Sequence, residues 1–320
     1  MKFAFIIDQL DSIKTAKDSS YAMMCEAIAR HHDVYILYQH DVALIDTVVT
    51  GFARPLALTD TPDTDKHWYR TGDSAAMPLH AFDAVLMRKD PPFDMEYVYS
   101  TYLLELAQAQ GACIVNNPRA IRDHNEKLAI AQFAPFTAPT LVTSQPQLIR
   151  EFLRAQQDVI LKPLDGMGGA SVFRVHSGDH NLNVIIETLT HYGTRTIMAQ
   201  RFIPEIAQGD KRILLIAGQA VPFALARIPK PGETRGNLAA GGSGKAQPLS
   251  ARDQSIAAAL GPELQRRGLL LVGLDVIGDY LTEINVTSPT GMQEITRKTG
   301  LNVAALMIDA LEVAVQGKAA

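Results

Sequence analysis

The spacing of apolar runs changes part-way along the chain, and this change constrains the fold more than any other feature. Up to about residue 122, short apolar runs typical of buried strands alternate with segments of helical periodicity, as in KFAFII followed by SSYAMMCEAIARH. Beyond that point, strand-like runs follow one another closely, with three helical patterns between them. The first pattern predicts a doubly wound, Rossmann-like α/β domain. The second predicts an α+β unit of antiparallel sheets with helices on one side.

The length and charge of the chain narrow the class of protein. Its 320 residues exceed the size at which one hydrophobic core usually stops growing, so we expect two or three domains. The formal net charge is -4 without a basic block, which argues against nucleic-acid and membrane-surface partners. Two cysteines, Cys25 and Cys113, are too few for a disulfide scaffold. Together with the lack of a 20-residue apolar run, they predict a cytoplasmic, soluble protein.

The segment ILKPLDGMGGASVFRV combines a strand, a lysine, a glycine-rich turn and a second strand. Backbone N–H groups in such a turn can approach phosphate oxygens closely, and Lys162 supplies a cation beside Gly166, Gly168 and Gly169. The segment matches neither a Walker A loop nor a GxGxxG loop. It therefore favours a phosphate-binding loop of another kind, with a plain hairpin as the alternative.

The segment GLDVIGDYLTEINVTSP places oxygen ligands on a predicted hairpin. Glu283 and Asn285 are two residues apart in an apolar strand and so share one face, where they can bind Mg²⁺. A three-residue loop (278–280) would set Asp275 opposite Glu283, whereas a two-residue loop would pair Asp275 with Thr282. The hairpin predicts a magnesium site, and the alternative is an ordinary hairpin whose acids face water.

Two arginines, Arg212 and Arg227, occur in neighbouring strand-like runs close to these motifs. Phosphoryl transfer depends on positioning and charge stabilisation, so arginines beside a magnesium site are expected to assist it. The alternative is that each forms a salt bridge at the rim of the site.

These segments together resemble the ATP-grasp ligases, and among them the bacterial glutathione synthetase family. The similar blocks lie in order between residues 87 and 289 and read MRKDPPFD, RDHNEKL, ILKPLDGMGGASVFRV, GDKRILL, ARIPKPGETRGNLAAGG and VGLDVIGDYLTEINVTSP. The resemblance implies an N-terminal domain over residues 1–122 and a two-part ATP-grasp fold over residues 123–200 and 201–320. It also implies a homotetramer that joins γ-glutamylcysteine to glycine, with ATP as a substrate and Mg²⁺ or Mn²⁺ as cofactor.

The resemblance also implies roles for individual residues. ATP would be bound by Lys127, Lys162, Gly166, Gly168, Gly169, Gln200, Arg201, Phe202, Ile203 and Asp210, and the metal by Asp275, Glu283 and Asn285. The residues expected to assist catalysis are Arg212, Arg227 and Arg235, and those expected to bind the amino-acid and peptide substrates are Arg88, Arg235, Asn285 and Ser288.

The glycine-rich segment TRGNLAAGGSGKA (234–246) follows Arg227 without an apolar period. The reaction implied by the resemblance passes through an acyl phosphate, which water would hydrolyse unless the site is covered. We therefore expect residues 228–246 to form a lid in which Arg235 offers a cation to phosphate or to the glycine carboxylate. The alternative is a linker between two strands.

Two other functions remain open on the sequence. Another ATP-grasp ligase, of the D-alanine or glutamate ligase type, would share the phosphate and metal residues. A non-catalytic nucleotide-binding regulatory protein would keep the glycine loop but not the metal acids, which are present here. An NAD-dependent oxidoreductase is disfavoured, because FIIDQLDSI lacks glycines after the first strand.

Overall fold

The computed structural model describes residues 1–59, 68–166, 168–230, 236 and 243–318. The described strands form three sheets, one in the N-terminal part of the chain and two in the part that follows. None of the described helices is both long and apolar enough to cross a lipid bilayer.

The first sheet has the strand order β3-β4-β2-β1-β7-β8, with β5 and β6 paired to β4. The four strands β2, β1, β7 and β8 are parallel, and β8 forms one edge of the sheet. Its strands are β1 (Lys2–Ile7), β2 (Asp33–Tyr38), β3 (Val42–Ile45), β4 (Val48–Leu58), β5 (Tyr69–Thr71), β6 (Ala75–Pro78), β7 (Ala84–Met87) and β8 (Ile114–Val115). The helices of this part are α1 (Ser19–Ala29), α2 (Met95–Ala109) and α3 (Pro118–Asp123).

The apolar run of β1 is explained by burial on both faces of the sheet. Phe3 belongs to the core cluster that contains Met23 of α1, whereas Ile6 belongs to the cluster that contains Leu104 of α2. Because successive side chains of a strand face opposite sides, the two helices cover opposite faces. The predicted doubly wound α/β domain is confirmed.

The other two sheets are entirely antiparallel in their described pairs, which confirms the predicted α+β character. The second sheet has the order β11-β10-β12-β9 and the third has the order β16-β15-β13-β17-β18, with β14 paired to β13. Their strands are β9 (Thr140–Thr143), β10 (Asp158–Pro163), β11 (Phe173–His176), β12 (Ile197–Arg201), β13 (Asp210–Ile216), β14 (Gln219–Ala220), β15 (Phe223–Ile228), β16 (Ser243–Pro248), β17 (Leu271–Ile277) and β18 (Tyr280–Asn285). The helices are α4 (Pro146–Gln156), α5 (Leu182–Thr190), α6 (Ala251–Arg266) and α7 (Met292–Thr299).

The C-terminal helix α8 (Val303–Lys318) packs on the N-terminal domain. Met307 and Leu311 are fully buried in the same cluster as Met23 of α1, and Arg30 binds Asp309 at 2.6 Å. The chain therefore returns to its first domain after the third sheet is complete. The division into residues 1–122, 123–200 and 201–320 stays a prediction, and its second boundary falls inside β12.

Candidate active site

A cleft of about 550 Å³ lies between the second and third sheets, and residues of the N-terminal domain also line it. Sixteen of the residues singled out in the sequence line this cleft. They are Lys127, Lys162, Gly166, Gly168, Gly169, Gln200, Arg201, Phe202, Ile203, Asp210, Arg212, Arg227, Asp275, Glu283, Asn285 and Ser288. Residues from distant parts of the sequence are thus brought into one site.

The strands that carry the predicted metal ligands form a hairpin with a β-bulge. The turn between β17 and β18 has two residues (278–279), which is the loop length that by itself would pair Asp275 with Thr282. Asp275 nevertheless pairs with Glu283, because Thr282 is an extra residue in β18 beside this pair. The bulge restores the register that a two-residue turn would otherwise shift. The predicted juxtaposition of Asp275 and Glu283 is therefore confirmed.

Asp275 is held by two arginines. Arg212 Nε lies 2.5 Å from Asp275 Oδ1, Arg212 Nη2 lies 3.0 Å from Oδ2, and Arg227 Nη2 lies 2.9 Å from the same Oδ2. Burial by itself raises the pKa of Asp275, but the charges and hydrogen bonds of Arg212 and Arg227 outweigh it and lower this pKa. The carboxylate therefore stays ionised. Both arginines are 7% exposed, so they are not rim residues.

Asp210 and Arg227 form the neighbouring cross-strand pair. They are in register between β13 and β15, and Arg227 Nη2 contacts Asp210 Oδ2. The other oxygen, Asp210 Oδ1, is buried and has no hydrogen-bond partner among the described residues. Burial raises the pKa of Asp210 to about 6, the charge of Arg227 opposes this shift, and the charges of Asp275 and Glu283 add to it. Asp210 Oδ1 is thus an acceptor that a bound ligand can satisfy.

Two buried lysines face Glu283. Lys127 Nζ lies 3.6 Å and Lys162 Nζ lies 4.0 Å from Glu283 Oε1, and Lys127 also donates to Gly166 O at 2.6 Å. Burial lowers the pKa of Lys162. Burial has the same effect on Lys127, but the charges of Glu283 and Glu126 prevail and raise its pKa. The site therefore holds closely spaced opposite charges. A bound polyphosphate can replace the Glu283 carboxylate as the partner of the two ammonium groups.

The glycine-rich segment is a hairpin turn that also lines the cleft. β10 and β11 pair antiparallel on either side of it. Gly168 and Gly169 have φ values of 67° and 80°, in the left-handed region that favours glycine. A Cβ at Gly168 would meet no atom within 4 Å, so its backbone is approachable. The two interpretations of this segment, a hairpin and a phosphate-binding loop, are therefore compatible.

The end of β12 and the segment after it form the other end of the cleft. Gln200 donates to Thr140 at 3.0 Å, and Arg201 donates to the Tyr280 hydroxyl at 2.9 Å. The Arg174 guanidinium lies 3.6 Å from the centre of the Phe202 ring. Of these contacts, the one between Arg201 and Tyr280 joins the second sheet to the third. Phe202 and the buried Ile203 add apolar surface to this end of the cleft.

Arg88 lies outside the cleft lining. It is 6% exposed and donates to Ser20 Oγ at 3.0 Å, to Thr287 O at 3.4 Å and to Pro289 O at 3.1 Å. Burial lowers its pKa. Arg88 therefore ties the N-terminal domain to the segment after β18 that contains Ser288, and its role as a substrate ligand stays a prediction.

Most of the expected lid (228–246), including Arg235, lies outside the described residues. Gly236 is described and lines the cleft. A Cβ at Gly236 would lie only 2.4 Å from Arg227 O and 3.2 Å from Asp210 Cβ. This position therefore requires glycine for a close approach of two backbone segments.

Several lining residues were missed in the sequence. Glu126 precedes Lys127 and contacts its ammonium group. Its position in the NEKL block, next to a predicted ATP-binding lysine, could have indicated that it lines the site. Further polar and charged examples are Ser12, Lys14, Lys17, Asp18, Asp90 and Glu294. Lys14 and Lys17 belong to a loop after β1 without a recognisable motif, and only the packing of the domains brings them to the cleft.

The donor set on β17 and β18 fits a hard divalent cation. Within the described ranges, no three His, Cys, Asp or Glu side chains cluster closely enough to bind a metal by themselves. Asp275 and Glu283 supply two carboxylates. The Asn285 amide donates its N–H to Gly273 O at 3.3 Å, which leaves the amide oxygen as a third donor. Few protein ligands, all of them oxygens, are typical of Mg²⁺ sites that are completed by phosphate and water.

Two antiparallel sheets that enclose a cleft with buried lysines, a glycine turn and paired carboxylates define the ATP-grasp class of ligases. Residues 1–122 match the N-terminal domain of the prokaryotic glutathione synthetase family, and residues 126–300 match its ATP-grasp domain. The glutathione synthetase of Nitrosomonas europaea is 70% identical over 312 residues, which cover 98% of each chain. That of Ralstonia nicotianae is 63% identical over 320 residues, which cover 100% of this chain and 97% of the other.

Solved structures of other ligases share the fold. D-Cycloserine synthetase DcsG has a TM-score of 0.68 at 14% identity and covers 98% of this chain and 100% of its own. The ATP-grasp ligase PsnB with its minimal precursor has a TM-score of 0.64 at 18% identity, with coverages of 97% and 98%. The chain belongs to the prokaryotic glutathione synthetase family and is an ATP-dependent ligase. This assignment displaces both alternatives left open by the sequence.

Proposed function

We propose that this chain joins γ-L-glutamyl-L-cysteine to glycine through an acyl phosphate and converts ATP to ADP and phosphate. The product is glutathione. Relatives that are 70% and 63% identical over nearly the whole chain are glutathione synthetases. The observation that carries the choice of substrates is this identity, and the cluster in which Arg212 and Arg227 hold Asp275 beside Glu283 supports the ATP-dependent step.

The triphosphate of ATP is bound between Lys127, Lys162 and the turn with Gly168 and Gly169. Two ammonium groups and approachable backbone N–H groups neutralise its charge. The base lies against the segment 200–203 at the apolar end of the cleft. Asp210 binds a ribose hydroxyl, which would satisfy the unpaired Asp210 Oδ1.

Asp275, Glu283 and Asn285 hold Mg²⁺, or Mn²⁺ in its place. The bound metal would supply positive charge at the phosphate oxygens. Asp275 is ionised because of its two arginines, and Glu283 lies where the lysines also meet the phosphates. These residues thus position metal and nucleotide together.

Phosphoryl transfer occurs at the end of the cleft near Arg212. The terminal carboxylate oxygen of γ-glutamylcysteine forms a bond to the γ-phosphorus while the bond to ADP breaks. Arg212 and Arg227 stabilise the charge that develops. The glycine ammonium group first loses one proton to solvent, and its nitrogen then bonds to the acyl carbon as the C–O bond to phosphate breaks. The second extra proton is lost to solvent, which leaves the amide. Ser288 and Asn285 bind the peptide, and Arg88 fixes the segment that carries Ser288.

The lid shields the acyl phosphate during this second step. Residue 228 ends β15 and residues 243–246 belong to β16, so the covering segment is 229–242, in which Gly236 lies against Arg227 O at the cleft. A covered intermediate meets the amine and not water, which keeps the yield of peptide per ATP high. Arg235, which belongs to the same segment, binds phosphate or the glycine carboxylate.

The enzyme is a cytoplasmic homotetramer. Support for association comes from α2, which exposes Met95, Tyr99, Tyr102 and Leu106 at helical spacing along one face. Support for a reducing compartment comes from the sequence, since two cysteines are too few for a disulfide scaffold. Light scattering tests the tetramer, and Tyr99→Lys should lower the measured mass if this face is buried between subunits.

The decisive experiment is ADP release with ATP, γ-glutamylcysteine and glycine, each omitted in turn. Turnover should require all three, and glutathione should form in step with ADP. Equal turnover with D-alanine in the absence of γ-glutamylcysteine would contradict the proposed substrates.

A further inference from the structure

The first turn of α7 places an unexplained carboxylate in the cleft. Glu294 lines the cleft and is only 8% exposed. Its Oε2 atom is buried and has no hydrogen-bond partner in the part of the chain that the structure describes. A buried polar atom without a partner is unfavourable, and in a binding cleft a bound ligand can satisfy it.

Glu294 does not serve as a helix cap. The N-cap of α7 is Gly291, and no side chain forms a capping hydrogen bond there. A carboxylate in the first turn does interact favourably with the helix dipole. That interaction is small and leaves the buried Oε2 atom without a hydrogen-bond donor. The position of Glu294 therefore calls for another explanation.

The geometry of α7 places Glu294 at the reacting end of the cleft. Glu294 lies in the first turn of α7, which packs against β15, the strand that carries Arg227, and against β16. The start of the helix lies beside Arg212, since a Cβ at Gly291 would lie 3.4 Å from Arg212 Cγ, and Glu294 and Arg212 both line the cleft. The adjacent Gln293 turns the other way and donates to Asp18 O at 3.0 Å in the N-terminal domain.

A carboxylate accepts hydrogen bonds and pairs with cations, so the ligand chemistry it fits is a primary ammonium group. We propose that Glu294 binds the ammonium group of the incoming glycine. This inference rests on the proposed function, which brings glycine to the acyl phosphate beside Arg212. The γ-glutamyl ammonium is the other candidate, but the N-terminal side of the cleft offers its own carboxylates, Asp18 and Asp90.

Steady-state kinetics of Glu294→Gln and Glu294→Asp test this role, with each substrate varied in turn. The KM for glycine should rise by about tenfold to a hundredfold in Glu294→Gln, the effect of losing one charge-assisted hydrogen bond. The KM values for ATP and γ-glutamylcysteine should stay within about twofold of the wild type, and Glu294→Asp should recover part of the loss. Glu151→Gln, a substitution of an exposed glutamate on α4, is the matched control.

Hydroxylamine separates glycine binding from the chemistry that precedes it. It is uncharged at neutral pH and traps an acyl phosphate as a hydroxamate, with formation of a C–N bond and release of phosphate. Glu294→Gln should therefore form hydroxamate at the wild-type rate while its glutathione synthesis at low glycine falls. A parallel fall in both products, or a rise in the KM for γ-glutamylcysteine alone, would overturn the assignment.

Three further outcomes are informative. Unchanged KM values with a lower thermal stability would show a structural role and also overturn the inference. A lower kcat with unchanged KM values would do the same, since binding would not be affected. If the wild type forms no glutathione at all, the proposed function fails. If the wild type forms glutathione and Glu294→Gln has normal glycine kinetics, only the proposed role of Glu294 fails.

Discussion

The carboxylate of Glu283 on β18 lies 3.6 Å from the ammonium group of Lys127, a residue of the segment that follows α3. Lys162 lies 4.0 Å from the same oxygen. Glu283 therefore links the third sheet to both buried lysines of the phosphate region. One side chain connects the proposed metal site with the proposed ATP site, and its removal should affect the two sites differently.

Glu283→Gln should lower turnover by roughly a hundredfold to a thousandfold, the range for loss of one group that stabilises transition-state charge. ATP affinity should be kept, because Lys127 and Lys162 remain and lose a competing carboxylate. ADP release at several Mg²⁺ concentrations and calorimetric titration with ATP measure the two effects. The exposed Glu187 provides the control Glu187→Gln. A near-normal rate at limiting Mg²⁺ would contradict the role of Glu283 in metal binding.

Asp275→Asn should destabilise the fold by about 3–5 kcal/mol, because it leaves Arg212 and Arg227 buried without their shared counter-ion. Because the pKa of Asp275 is lowered in the folded state, its ion pairs stabilise the protein above about pH 4, and this contribution is lost at lower pH. Urea unfolding measures the change. Asp309→Asn breaks an exposed pair with Arg30 and should cost about 1 kcal/mol or less. Equal effects of the two variants would argue against a tightly coupled Arg212–Asp275–Arg227 cluster.

Asp210 should produce the opposite pH dependence. Its pKa is raised to about 6 in the folded state, so the folded protein retains this proton longer than the unfolded chain. The contribution of Asp210 to the free energy of unfolding should therefore decrease as the pH rises from about 4 to 6, by about 1–3 kcal/mol. The difference between wild type and Asp210→Asn in urea unfolding, measured at several pH values, isolates this contribution. A difference that increases with pH over this range would mean that Asp210 is ionised throughout.

Gly236→Ala should uncouple ATP consumption from ligation. The added Cβ would lie 2.4 Å from Arg227 O, so the segment has to move away from the cleft and should expose the acyl phosphate to water. The ratio of ADP to glutathione should rise well above one. Gly317→Ala, where an added Cβ meets no atom within 4 Å, is the control. If both products fall together at a ratio of one, the segment assists binding and does not shield the intermediate.

The sequence by itself determined the class of each domain and most of the candidate site. The alternation around β1 and the closely spaced strands after residue 122 depend on local periodicity, which reflects burial on one or both faces of each element. The glycine turn and the acids of β18 were recognisable for the same reason, because their spacing along one strand decides which side chains share a face. Most of the residues selected in this way line one cleft.

Only the tertiary structure decided which partner each charge has. The bulge at Thr282 sets Glu283 opposite Asp275 despite a two-residue turn, and the pairing of β13 with β17 brings Arg212 onto Asp275. Arg88 donates a hydrogen bond to Pro289 O and so links the N-terminal domain to the segment after β18. Glu294 lines the cleft although no sequence motif predicted it. These relationships join residues that are distant in sequence, and their electrostatics depend on burial. Local sequence patterns do not show which distant residues meet or how deeply their charges are buried, because both depend on how the sheets and helices pack together.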